Sequence, residues 1–274
     1  ATSTLITSTA LTSGGTDSSR SSYTTASITP SANKLVLLAV GRRGSGAISS
    51  VSGNGITWVQ IASQFNGYGD GDDGVVLFRA MGTSPTTGPI TITFASAQQR
   101  ANWSVVEFGN VDTSGTNGSG AIVQYATNSH TGGTSITATL AAFASTDNAT
   151  YGAVQGGNPP GPGTGFAQLH YDRTGTNWDR IDTFTEWRPD NDTTVNATLG
   201  WTAGAIIAVE IKKGSGGTLS STLPVENVRG TRIDLYADTA PSLAPQPAYF
   251  TNTVTIRNLR SGKSVATSPA TSTL

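Results

Sequence analysis

The feature that most constrains this chain is a series of short apolar runs broken by clusters of Gly, Asn, Asp, Ser and Pro. The runs lie at residues 34–40, 56–61, 75–80, 90–94, 103–108, 121–125, 136–140, 151–154, 166–171, 181–187, 195–199 and 205–211. Each has the length of a β-strand rather than a helix, and turn-forming residues bound each one. Strict alternation in Ile90-Thr91-Ile92-Thr93-Phe94 predicts a strand with one buried and one wet face. Residues 35–40 and 205–209 are apolar throughout, which predicts central strands covered on both sides. Charged residues make up only 12% of the chain, too few to dress exposed helical faces. These signals predict an all-β protein, a two-sheet β-sandwich over residues 23–213 with an extended C-terminal β arm.

The punctuation also divides the chain. Lys212-Lys213-Gly214-Ser215-Gly216-Gly217 has the composition of a connector and predicts a boundary at about residue 214. Beyond it two alternating segments, 231–237 and 251–259, flank a proline-rich stretch. Two strands do not make a core, so Ile233, Leu235, Val254 and Ile256 are expected to be covered by a neighbouring subunit, another protein or the sandwich itself. Residues 214–274 are therefore read as a linker and assembly arm. Residues 1–22, rich in Ser and Thr, are read as an N-terminal extension that orders on contact with a partner. The chain starts at Ala1, which fits either loss of an initiator Met or removal of a leader.

Several segments, in order, resemble a jelly-roll-like sandwich module of tailed-phage virion proteins and secreted bacterial proteins. They are Ile28-Thr29-Pro30, the strand 35–40, Gly55-Ile56-Thr57-Trp58, Val76-Leu77-Phe78-Arg79-Ala80, residues 105–112 (Val-Val-Glu-Phe-Gly-Asn-Val-Asp) and the closing strand 205–211. The resemblance covers residues 23–212. It implies a jelly-roll-like fold and a structural, non-enzymatic role decorating the capsid or tail of a bacteriophage, on the virion exterior, as a homo-oligomer with other virion proteins as partners. An extracellular or cell-surface setting is the alternative. The family brings no catalytic residues. The arm would then join neighbours by adding its strands to theirs.

Composition excludes other classes. A net charge of −1 leaves no cationic excess for nucleic acid or an anionic membrane, and no apolar run is long enough to span a bilayer. With no cysteine and only His130 and His170, a structural zinc site is not expected. The Gly69–Gly74 stretch, with Asp70, Asp72 and Asp73, matches a dinucleotide fingerprint in letters alone. Its aspartates would repel a pyrophosphate and a strand follows where a helix is required. An acidic hairpin loop is the ordinary reading and Ca²⁺ the functional one; Asp190-Asn191-Asp192 is weighed the same way.

His170-Tyr171-Asp172 suggests general-base chemistry, but adjacent strand residues face opposite ways and no nucleophile-elbow sequence occurs. Glu107, Glu186, Glu210 and Glu226 lack any spacing that marks a glycosidase pair; Glu107 and Glu210 are expected to point outward from their strands. Tyr171, Trp178 and Trp187 lie in a polar stretch and form the candidate glycan-stacking set, which supports the alternative function of a carbohydrate- or receptor-binding module. Trp58, Trp103 and Trp201 are expected in the core. The Gly/Pro-rich residues 156–165 are expected to form an exposed loop.

Overall fold

The computed structural model describes residues 5–67, 73–156, 161–176, 179–200 and 203–214, and the backbone of 251–252 and 270–271. The described chain is built from β-strands, with a single 3-10 turn at Ser119–Ala121. Strands β1 (Thr7–Thr16), β2 (Arg20–Thr24), β3 (Leu35–Arg43), β4 (Ile48–Gly53), β5 (Val59–Phe65), β6 (Gly74–Ala80), β7 (Ile90–Gln98) and β8 (Arg100–Gly109) form the first half. The second half contains β9 (Ile122–His130), β10 (Ser135–Thr139), β11 (Ala149–Gly156), β12 (Ala167–Thr176), β13 (Asp179–Arg188), β14 (Thr194–Thr198) and β15 (Gly204–Ile211).

The all-β sandwich is present, in four layers rather than two sheets. Two five-stranded antiparallel sheets, β1-β8-β3-β6-β5 and β12-β13-β11-β15-β9, face each other. Outside the first lies the sheet β2-β7-β4, and outside the second the pair β10-β14. Three cores fill the gaps. Leu35, Leu37, Leu77 and Phe108 meet Tyr151, Ile207, Val209 and Ile211 in the middle. Val36, Leu38, Phe78 and Val105 pack against Ile90, Ile92 and Phe94 on one side. Val154, Phe184 and Ile206 pack against Ile136, Val195 and Leu199 on the other. The continuous apolar runs of β3 and β15 follow from this layering, because inner-sheet strands bury both faces. In β7 Ile90, Ile92 and Phe94 are buried while Thr91 and Thr93 are not, as expected for an outer layer.

The second half repeats the first. Strands β1, β2, β3, β5, β6, β7 and β8 correspond in order and pairing to β9, β10, β11, β12, β13, β14 and β15. Strand β4 has no full counterpart, but Gly161 bridges Thr198 of β14 through two backbone hydrogen bonds at the edge where β4 would lie. Phe108 opposes Leu35 as Ile211 opposes Ala149, so Glu107 corresponds to Glu210, Lys34 to Asn148 and Arg79 to Trp187. Val59-Gln60-Ile61-Ala62 and Ala167-Gln168-Leu169-His170 carry a bulge at the same place. β1 lies over β12 and β5 over β9, β8 over β13 and β6 over β15, so exchanging the halves maps the packing between the two inner sheets onto itself. This is the isologous packing of a two-fold dimer, achieved within one chain.

Three expectations are corrected. Of the expected N-terminal extension 1–22, residues 5–22 do not await a partner: β1 pairs along β8, Ile6 enters the central core, and Tyr23, just beyond, enters the outer one. Backbone pairing at a sheet edge demands little apolar content, and so the segment reads as linker. Glu107 and Glu210 do leave the central core, but both are buried rather than exposed. Lys34 Nζ at 2.9 Å and Ser31 Oγ at 3.0 Å donate to Glu107. Gln124 Nε2 and Asn148 Nδ2, each at 2.6 Å, donate to Glu210. The run at 56–61 starts its strand only at Val59, after a turn at Asn54-Gly55 where both residues have positive φ.

At the far end Val111 bridges Lys213 and the Gly214 N–H donates to the Asn110 carbonyl, tying down the last residues of the body. The compact unit spans Thr4–Ser215; Ala1–Ser3 and Gly216–Leu274 group separately. Within the latter, Thr251–Asn252 pairs antiparallel with Ala270–Thr271. Ile233, Leu235, Val254 and Ile256 lie outside the described residues.

Candidate ligand groove

Among the described residues the strongest candidate site sits where the free edges of the two inner sheets, β5 and β9, run side by side. Its volume is about 490 Å³, within the range of small-ligand clefts. Arg79 enters it from β6, flanked in the sheet by Leu37 and Val59. Its Nε is buried without a hydrogen-bond partner, and no carboxylate pairs with it among the described residues. Partial burial pushes its pKa down, the expected response of a half-buried cation with no carboxylate beside it.

Both strands bulge at the groove. The ladder shifts between Gln60 and Ala62 on β5, and between Gln124 and Ile122 on β9. The extra residues, Ile61 and Val123, both line the groove. Tyr125 follows on β9, and Val123 and Tyr125 are 47% and 54% exposed, among the few large exposed apolar side chains. Ile61 and Ile122 pack on the central core beneath. The β9 wall is rigid: Gln124 donates to Glu210 and to the Ala141 carbonyl and accepts the Ala141 N–H.

The repeat explains why the groove exists. At the equivalent position in the second half stands Trp187, whose ring meets Phe108 at 5.8 Å between centroids and fills the space. In the first half the corresponding residues are Arg79 and Ile211, a slender guanidinium stem and a smaller aliphatic. Divergence of the two halves leaves one side filled and the other open.

The aromatic set expected to bind glycan does not converge. Trp187 packs on the central core and Tyr171 on the outer core of the second half, so the two lie on opposite faces of one sheet. The Tyr171 hydroxyl donates to Asp182 at 2.6 Å, and burial pushes its pKa up to about 12. Trp178 lies outside the described residues.

The acidic loops differ too. Asp73 faces Arg43 at 3.6 Å, and Asp70 and Asp72 lie outside the described residues. Asp190 and Asp192 are both paired with Arg188, each at 2.5 Å. Among the described residues no cluster of three His, Asp or Glu side chains offers a metal site.

His170 and Asp172 share one face of β12, turned toward the first inner sheet. The His170 Nε2 lies 3.3 Å from the Val105 carbonyl, and burial pushes its pKa down. Burial also raises the Asp172 carboxyl, against a hydrogen bond from Ser13. The pair is part of a polar seam with Asn102, Thr183, Ser104 and Thr185 that fixes the register of the inner sheets. Glu186 lies beneath the Gly/Pro loop, where its Oε2 accepts the Gly163 N–H at 2.8 Å. Its Oε1 is buried without a partner, and burial lifts its pKa to about 8.

No family model, curated protein or solved structure matches this chain. Sequence reading missed the groove because Arg79 and Tyr125 are far apart in the chain and unremarkable where they stand. The one available signal was an arginine closing the otherwise apolar run Val75-Val76-Leu77-Phe78-Arg79.

Proposed function

We propose that this chain is a non-enzymatic recognition module displayed on the exterior of a tailed-phage particle. The observation that carries the recognition role is the groove between β5 and β9, where an uncompensated guanidinium lies beside an exposed aromatic and two exposed or half-exposed aliphatics. Burying the Nε of a half-exposed guanidinium without a partner costs stability, and a fold tolerates it where a ligand completes the pairing. Support for the particle setting comes from the sequence resemblance over residues 23–212. The four-layer body suits display: its cores are sealed, and all four inner-sheet edge strands carry bulges that discourage random strand addition. In this reading residues 214–274 attach the module to the particle.

Gold-labelled antibody against the full chain, applied to intact particles from the source culture, tests the placement. Labelling of the particle surface, with adsorption to cells blocked by the same antibody, is the expected result. Unlabelled particles, or labelled particles that adsorb normally, would refute the proposal.

A further inference from the structure

We propose that the β5–β9 groove binds a saccharide bearing a carboxylate, of the uronic or sialic acid class, with Arg79 taking the carboxylate and Tyr125 stacking on the sugar ring. The inference rests on the recognition reading above and names its ligand.

Three features select this chemistry. First, the uncompensated group is an arginine, whose planar fork of donors matches a carboxylate in two parallel hydrogen bonds. Second, the adjacent exposed side chain is a tyrosine, which offers an apolar face and a polar rim to a ring that has both. Gln60 at the mouth adds an exposed amide for hydroxyl groups. Third, the two strands bordering the groove are bulged at the groove itself. A bulge breaks the even spacing of free N–H and C=O groups that an incoming peptide strand needs, and redirects side chains into the gap. An acidic peptide adding as a strand is thereby disfavoured, and a compact ligand held by side chains is favoured. The volume, about 490 Å³, fits one or two sugar rings.

The test is titration of the full chain with methyl β-D-glucuronide and with N-acetylneuraminic acid, using methyl β-D-glucoside as the neutral control, followed by the NMR signals of the Tyr125 ring. Both acids are expected to shift those signals, with the glucoside at least about tenfold weaker, the usual scale of a charged hydrogen-bonded contact. Arg79→Gln and Tyr125→Ala should each weaken acid binding about tenfold or more, while Tyr125→Phe retains it. Tyr125 is exposed, so its variants test the site even if Arg79→Gln fails to fold. Equal binding of acid and glucoside, no shift with either acid, or displacement by a Glu-rich peptide at lower concentration than either acid would each overturn the assignment. Particles that adsorb to cells through this protein while neither acid binds would sink the ligand class and leave the recognition role standing.

Discussion

Glu186 offers the sharpest test of the layered packing. Its carboxyl group is fully buried between the second inner sheet and its outer pair, held by one backbone N–H from Gly163 and, among the described residues, by no cation. Burial raises its pKa from the ordinary 4.5 to about 8. The folded protein therefore binds a proton that the unfolded chain releases across this interval. Stability attributable to this group is full below about pH 4.5, falls as pH rises, and levels off above about pH 8. At roughly 1.4 kcal/mol per pH unit, the whole interval is worth on the order of 5 kcal/mol. Glu186→Gln keeps the shape and removes the titration, at a cost of about 1–3 kcal/mol for an amide beside the unpartnered position. Urea unfolding of both proteins, read by tryptophan fluorescence from pH 5 to pH 9, isolates the effect. His170, whose lowered pKa acts in the opposite sense, is common to both and cancels in the difference. The variant should be the less stable protein at pH 5 and the more stable at pH 9. A difference that stays constant across that range would mean Glu186 titrates normally, and that the Gly/Pro loop does not seal it from water.

Asn148→Ala removes one of two amide donors to the buried Glu210 and should cost about 2–4 kcal/mol in urea unfolding, whereas Lys34→Ala at the equivalent half-exposed position should cost about 1 kcal/mol. Equal losses would contradict the difference in burial between the two sites. Gly163→Ala should destabilise by about 2 kcal/mol or more, because a Cβ there would lie 2.0 Å from the Asn196 carbonyl oxygen; proteolysis within residues 157–166 reports it directly. Trp187→Ala should lower thermal stability by about 3 kcal/mol and leave saccharide binding unchanged, since its ring packs on Phe108 rather than facing solvent; a selective binding loss in a stable variant would restore it as a stacking platform.

How far the sequence could be read depended on what each strand buries. β3, β7, β8 and β15 announce themselves because their side chains meet a core at a period the pleat imposes. β1, β2 and β4 contribute mostly Ser, Thr and Gly, and their pairing energy lies in the main chain, which leaves no side-chain pattern. The repeat escaped for a related reason. Its halves share topology and bulge position, while residues at matching positions differ as much as Leu37 from Tyr151 or Arg79 from Trp187.

The chain's composition and periodicity by themselves determined that it is all-β and that residues 35–40 and 205–209 run through its centre, since burying apolar side chains on both faces is a local demand. Whether a given carboxylate, aromatic or arginine is sealed, paired or open was decided only by tertiary packing. Glu107 and Glu210 point away from the central core, yet both are buried and bonded to side chains distant in the chain. Trp187 and Arg79 occupy equivalent positions, yet one faces Phe108 and the other lines a groove. Burial of a polar group is a property of what lies across from it, and in a four-layer sandwich that neighbour comes from a distant part of the chain.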